Sequence, residues 1–362
     1  MKRTVPSLLP GVLAAAAIAL LGLRSSRIIG QQLLHMEKSP ISGIMMSIIA
    51  GLLVGNLVKL PEQLRPGIRF SRRTVLRIGI ILLGIRLCLI DVVRFGTLAV
   101  PLIVVCIASA LLFTRWLGVR LRISPKMSTL VAVGTSICGA TAIVATGPAI
   151  DAKEEEITYA VANITVFGLL AMFLYPTLAR ALFGTDLTSA GLFLGTAIHE
   201  TAQVAGSGLM YAQLYEAAEA LDVAAVTKLI RNVAIAVVVP WMAYRHRTGG
   251  GDKPVSLRGL FPTFVLGFLA MAAFRTVGEL TLEAGKAWWV LDGAGWTALI
   301  GFIRAWAENF LATAMAAVGL ATGIRELRSL GLRPFYVGFG ASLAVGVVSL
   351  AGIAALRALG LV

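Results

Sequence analysis

The sequence predicts an all-α polytopic membrane protein of about nine to eleven transmembrane helices, with two glycine-rich, interrupted segments (re-entrant or crossing) related by an internal repeat. Two observations carry the membrane class. Of the 362 residues 58% are hydrophobic and 14% charged, with a mean hydropathy of +0.87. A soluble domain carries about a quarter charged residues, so this chain has too little polar surface to cover a water-soluble globule. The uncharged stretches also have the right length, since about 20 apolar residues span a hydrocarbon core. Outer-membrane barrels would show shorter, alternating segments instead.

Taken in order, the long uncharged stretches are Thr4–Leu23, Ser39–Val58, Phe95–Thr114, Met127–Ile150, Ile157–Ala179 and Pro334–Leu356. Shorter or charge-interrupted apolar runs occupy 74–93, 187–211, 223–244, 257–275 and 305–324. Lys2-Arg3 before the first run has the look of a signal peptide. That run is long and Arg24 and Arg27 follow it, which predicts a retained first helix. The Trp pair and Asp292-Gly293 within 287–303 predict an interfacial or partly inserted segment that does not cross. The chain is expected to form one membrane domain over 1–362. Residues 128–180 and 188–245 are the repeat units at its core, and 1–127 and 257–362 are the surrounding helices.

The net charge of +14 maps to loops. Arg65, Arg69, Arg72, Arg73 and Arg77 form one cluster; Arg115, Arg120, Arg122 and Lys126 a second; Arg245, Arg247, Lys253 and Arg258 a third; Arg325, Arg328 and Arg333 a fourth. Cytoplasmic loops are enriched in Lys and Arg. Threading from a cytoplasmic N-terminus puts all four clusters inside and the acidic Glu216, Glu219 and Asp222 outside. No aromatic-interleaved basic motif accompanies the charge, so a nucleic-acid partner is not expected. Cys88, Cys106 and Cys138 lie in apolar segments with no disulfide or zinc spacing, and neither metal nor cofactor is expected.

Gly134-Thr-Ser-Ile-Cys-Gly-Ala-Thr-Ala-Ile-Val-Ala-Thr-Gly147 lies on Gly195-Thr-Ala-Ile-His-Glu-Thr-Ala-Gln-Val-Ala-Gly-Ser-Gly208 without a gap. Each copy is followed by a helix expected to end in proline, Pro176 or Pro240. Re-entrant copies would be inverted by the single intervening helix; spanning copies would be parallel. Glycine and β-branched threonine weaken helices, and in lipid a broken helix is tolerated only where protein or a cavity satisfies its backbone. Paired interrupted segments in the two halves of a membrane chain point to a transporter's substrate site. Their half-helix N-termini suit an anion. The plainer reading of the glycines is close helix packing.

Ionisable residues within the membrane are costly and are site candidates by default. Lys228 and Arg231, with Asn232, share one helix face, and no carboxylate stands at i±4. The alternatives are balancing a substrate anion and snorkelling to headgroups. Arg86 is expected to partner Asp91, Arg304 to pair with Glu308, and Asn163 and Asn309 to bond between helices. Cys138, His199 and Glu200 raise an enzyme reading, but His199-Glu200-Thr-Ala-Gln203 lacks the second His of a zincin helix. No phosphate-binding Gly-Lys-Ser/Thr loop is present, so ATP-driven transport is not expected.

Gly134–Ile143, the run Ala152-Lys-Glu-Glu-Glu-Ile157 and Ile198-His-Glu-Thr-Ala-Gln-Val204 resemble the YeiH family of bacterial inner-membrane proteins, whose members are commonly labelled sulfate exporters. Ala314–Gly323 followed by Arg325-Glu-Leu-Arg328 fits as well, and Ala140-Thr141 departs from the usual Ala-Ser or Asn-Ser. The resemblance implies kinship with cation/proton antiporters and bile-acid-type sodium symporters, and His199-Glu200-Thr201 is similar to a Glu-Thr-Gly stretch on a crossing helix of the latter.

Residues and resemblance together lead to the expectation of a secondary transporter for a small, sulfur-containing (sulfate-like) anion, coupled to H+ or Na+. Thr135, Ser136, Cys138, Gly139, Thr141, Thr201 and Gln203 would line the site and Lys228 and Arg231 would balance charge. His199 or Glu200 would carry the coupling ion. No catalytic residue is assigned. The lipid bilayer is the obligate partner, and a homodimer is compatible with this reading. A cation/proton antiporter using Glu200 and an intramembrane enzyme using Cys138 and His199 are the alternatives.

Overall fold

The computed structural model describes residues 8–29, 32, 42–246, 262–322 and 332–362. The described residues are helical almost throughout, and they divide into two compact units. Six helices are long and apolar enough to cross a membrane: Leu9–Ile28, Leu89–Arg120, Glu154–Phe183, Ala218–Arg245, Phe264–Glu283 and Leu332–Ala358. Nine to eleven passes are reached only if shorter and broken helices contribute.

The first unit comprises Met1–Val93, Leu209–Ala218 and Thr263–Ile324. It contains α1 (Leu9–Ile28), α2 (Gly43–Leu57), α3 (Arg65–Phe70) and α4 (Leu76–Leu83). Close approach of backbones organises it. Gly51 and Gly55 of α2 lie against the main chain at Ala316 and Leu320, and Gly319 lies against Ile48 and Leu52. A Cβ at any of the three would overlap the neighbouring helix, so these glycines serve packing, as small residues do between membrane helices. The apolar run 74–93 is not one helix. It breaks at a 3-10 turn, Gly84–Arg86, where Gly84 meets the Phe268 carbonyl. Asp91 accepts from Cys88 N–H at 2.9 Å, capping the helix that follows. Glu308 lies between Arg86 and Arg304, as its electrostatic neighbours show.

The stretch 287–303 divides differently from expectation. Ala287 to Leu291 form a tight turn with Trp288 and Trp289 at positive φ, closed by a bridge between Ala287 and Leu291. Asp292 then caps Gly295 N–H at 2.8 Å. From Gly293 the chain is one helix to Ala321, about 43 Å long at 1.5 Å per residue. Residues 293–303 therefore belong to the helix that carries 305–324. The Asp292 cap starts it earlier than hydropathy suggests, and no proline interrupts it.

The second unit comprises Arg94–Gly208, Glu219–Pro262 and Arg325–Val362. Its helices are α5 (Leu89–Arg120), α6 (Pro125–Ser136), α7 (Ala140–Ala149), α8 (Glu154–Phe183), α9 (Leu187–Ala197), α10 (Thr201–Tyr215), α11 (Ala218–Val233), α12 (Ile235–Arg245) and, at the C-terminus, Leu332–Ala358. The last is numbered α15, after α13 (Phe264–Glu283) and α14 (Gly293–Ala321) of the first unit. Both repeat segments, 128–180 and 188–245, fall mainly in this unit, joined by α5 and α15.

Pro176 and Pro240 do not end their helices. Pro101, Pro148, Pro176 and Pro240 all lie inside helices, of which α8 runs on to Phe183 and α12 to Arg245. Membrane helices accept internal proline because neighbouring groups satisfy the freed carbonyl. The apolar core joins Leu130, Val131 and Val133 of α6, Ile143 of α7, Ile164 of α8, Val238 and Val239 of α12, and Val337 and Ala341 of α15. The basic residues Arg247, Lys253, Arg258, Arg325 and Arg328, with Glu326, lie outside the described residues.

Candidate functional site

Both glycine-rich segments are helices broken at their polar motifs. α6 stops at Ser136, after which Ile137 takes φ −120°, ψ −91° and Gly139 takes φ +69°, ψ −129° before α7 begins. α9 stops at Ala197, Ile198 is extended at φ −91°, ψ 136°, and α10 starts at Thr201. A helix end leaves up to four carbonyls without intrahelical partners. Deep in a membrane chain those oxygens have no water to turn to.

α11 supplies the partners. Lys228 Nζ donates to the carbonyls of Ile137 at 2.9 Å, Ile198 at 3.0 Å and His199. Arg231 donates through Nε to Ser136 O at 2.6 Å, through Nη2 to Thr135 O, and through Nη1 to Thr196 O and, more distantly, Ile198 O at 3.4 Å. Both side chains are fully buried, so neither snorkels. Their three-residue spacing puts them on one face, from which they reach both breaks at once. The C-terminal ends of α6 and α9 carry about half a negative charge each, which adjacent cations neutralise. The two cations need no shared carboxylate, because bare carbonyls take that role.

The remaining predicted residues sort by burial. Thr135, Ser136, His199 and Gln203 are buried. The hydroxyls of Thr135 and Ser136 bond to their own helix, at Val131 O (2.8 Å) and Val133 O (3.3 Å). Gln203 Oε1 accepts from Glu200 N–H at 3.3 Å while its Nε2 donates to Thr165 O at 3.2 Å, tying the start of α10 to α8. Asn232 Nδ2 donates to Thr201 Oγ1 at 3.1 Å. His199 Nε2 meets Ser342 Oγ at 2.8 Å, and the Cys138 thiol faces the Ala142 N–H. Gly139 packs directly on Glu200. Exposure survives at Thr141, Glu200 and Thr201, beside the N-termini of α7 and α10. Asn163 Nδ2 bonds between helices, to Pro334 O at 2.9 Å.

Sequence reasoning passed over α15. Ser342 meets His199, and Ser349 meets Thr196 Oγ1 at 2.6 Å. A signal was there: Gly338, Ser342, Gly346 and Ser349 recur at spacings of four, four and three, one face of an apolar helix. Among the described residues no group of three His, Cys, Asp or Glu side chains is arranged to hold a metal ion.

The family model described as conserved hypothetical protein 698 matches residues 10–338. The chain belongs to this YeiH-like family. A UPF0324 membrane protein of Corynebacterium glutamicum is 33% identical over 315 residues, 87% of this chain and 85% of that protein. UPF0324 membrane proteins of Pseudomonas aeruginosa, 31% identical over 91% of this chain and 89% of that protein, and of Nitratidesulfovibrio vulgaris, 29% identical over 97% and 94%, are similar along nearly their whole lengths. No solved structure matches. The family is one of multi-pass membrane proteins.

Cys138 tests whether this YeiH-like site does covalent chemistry. Its thiol sits at the first turn of α7, where a small side chain leaves room beside the backbone. Cys138→Ser is expected to keep ligand binding or uptake within a few-fold of the parent, and Cys138→Leu to abolish it. A Ser variant as inactive as the Leu variant, with normal membrane insertion, would point to a nucleophile instead.

Proposed function

We propose that the chain is a secondary transporter for a small anion, which docks at the N-terminal ends of α7 and α10. The observation that supports this best is an asymmetry at the two breaks. The C-terminal ends of α6 and α9 are closed by buried Lys228 and Arg231, whereas Thr141, Glu200 and Thr201 on the opposite, N-terminal side retain exposure. Helix N-termini carry about half a positive charge each and favour anions. The local charge favours the same sign, with two cations set against the single carboxylate of Glu200. On this reading Thr135, Ser136, Cys138, Gly139 and Gln203 shape the backbone around the substrate. Lys228 and Arg231 hold the field, and Glu200, backed by His199, carries the coupling ion.

A sulfur-containing substrate, H+ or Na+ coupling, a bacterial inner-membrane location and a cytoplasmic N-terminus follow from the family resemblance and the loop charges. One observation favours a cation/proton antiporter as the second reading: Glu200 lies close enough to interact electrostatically with both Lys228 and Cys138. Melting temperatures of the purified protein separate the two. Sulfate, sulfite, thiosulfate, taurine, sodium and lithium are compared at two pH values. A ligand of the native state raises apparent stability by mass action. An anion-dependent rise is expected. A response to cations alone favours the antiporter, and silence from every anion contradicts the proposal.

A further inference from the structure

The Lys228 ammonium has the surroundings of a bound metal cation. Its three N–H donors all go to main-chain oxygens, those of Ile137, Ile198 and His199. These come from two separately broken helices, one oxygen from the first and two from the second. The Glu200 carboxylate acts on the ammonium electrostatically. Unwound carbonyls of discontinuous helices, with a carboxylate nearby, are the ligands that transporters present to sodium. Here a side chain of α11 reaches into that place and is fully buried there.

We infer that Lys228 is a tethered cation occupying a carbonyl-lined alkali-metal site, so that the wild-type chain binds no sodium there and removal of the ammonium opens the site to a sodium ion. The inference deepens the transporter reading and rests on it in one respect: it makes the proton the coupling ion. Arg231 does not compete for the role. Its planar fork bridges Thr135, Ser136 and Thr196 one step back along the two helices and shares only the Ile198 carbonyl, at 3.4 Å. A compact ammonium can be replaced by a spherical ion, whereas a two-pronged guanidinium cannot.

The geometry also sets the ion's character. Oxygen ligands without thiolate or imidazole suit hard cations. One nearby carboxylate gives a site charge that a monovalent ion balances and a divalent ion exceeds. The replaced charge is itself +1, and the rest of the cavity is built around that value.

The test uses the full chain in detergent, with melting temperature read in sodium chloride or choline chloride at equal ionic strength and with no anion substrate added. The wild type and Lys228→Arg are expected to melt at the same temperature in both salts. Lys228→Ala and Lys228→Ser should melt lower in choline and recover by several degrees as sodium is titrated, saturably. Recovery of folded protein only when sodium is present throughout purification counts as the same result. A saturable sodium shift in the wild type overturns the inference, and so does failure of both small variants to respond to, or fold in, sodium. Because the measurement involves no anion, its outcome is independent of the anion screen, and either reading can fail alone.

Discussion

Arg231→Gln is expected to lower the melting temperature of the purified protein by roughly 5–10 °C with no substrate present, using the dependence of a few degrees per kcal/mol for a chain of this size. The guanidinium satisfies carbonyls at Thr135, Ser136, Thr196 and Ile198, all at the C-terminal ends of α6 and α9. A buried acceptor left bare costs about 1–3 kcal/mol. Glutamine can reach one of these oxygens, so two or more lose their donor. Arg231→Lys should fall between, because an ammonium restores charge without the planar fork that spans both helices. If the guanidinium instead served the substrate, Arg231→Gln would melt normally and lose anion affinity. That result would reassign the residue and leave the two breaks without their bridge.

How far this arrangement is legible in the sequence depends on which atoms carry it. The breaks themselves are readable, since Gly139 and the polar runs around Cys138 and His199 stand out in apolar surroundings, and the helices stop there. Lys228 and Arg231 are also readable as residues that need partners. Their partners are main-chain oxygens, which every residue possesses, so no side-chain pattern announces them. That is why the absence of a carboxylate at i±4 made a substrate anion look necessary. Proline misled for a related reason. Pro176 and Pro240 would end a helix in water, but each sits inside one here, where packing replaces the lost bond. In 287–303 a single capping oxygen, Asp292 Oδ1, decided where α14 begins, and hydropathy averages over such detail.

Gly139→Ala should cost both stability and function, and comparison with Gly184→Ala separates the two. Gly139 has φ +69°, ψ −129°, and Gly184, just past the end of α8, has φ +60°, ψ −114°. Side chains rarely adopt either conformation, and each substitution carries a strain of about 1–3 kcal/mol. They differ in surroundings. A Cβ at Gly184 meets nothing within 4 Å, whereas one at Gly139 comes within 3.1 Å of Glu200 Cβ and 3.3 Å of its Cα. Glu200 cannot move away freely, because its N–H is held by Gln203 and Gly139 itself follows the carbonyl that Lys228 grips at Ile137. Both variants should therefore melt several degrees lower. The Gly139 variant alone should lose the anion-dependent rise in melting temperature, since the added methyl group pushes α7 away from the start of α10. If Gly184→Ala erased the anion response equally, general destabilisation would account for both, and the pairing of Gly139 with Glu200 would have no part in binding.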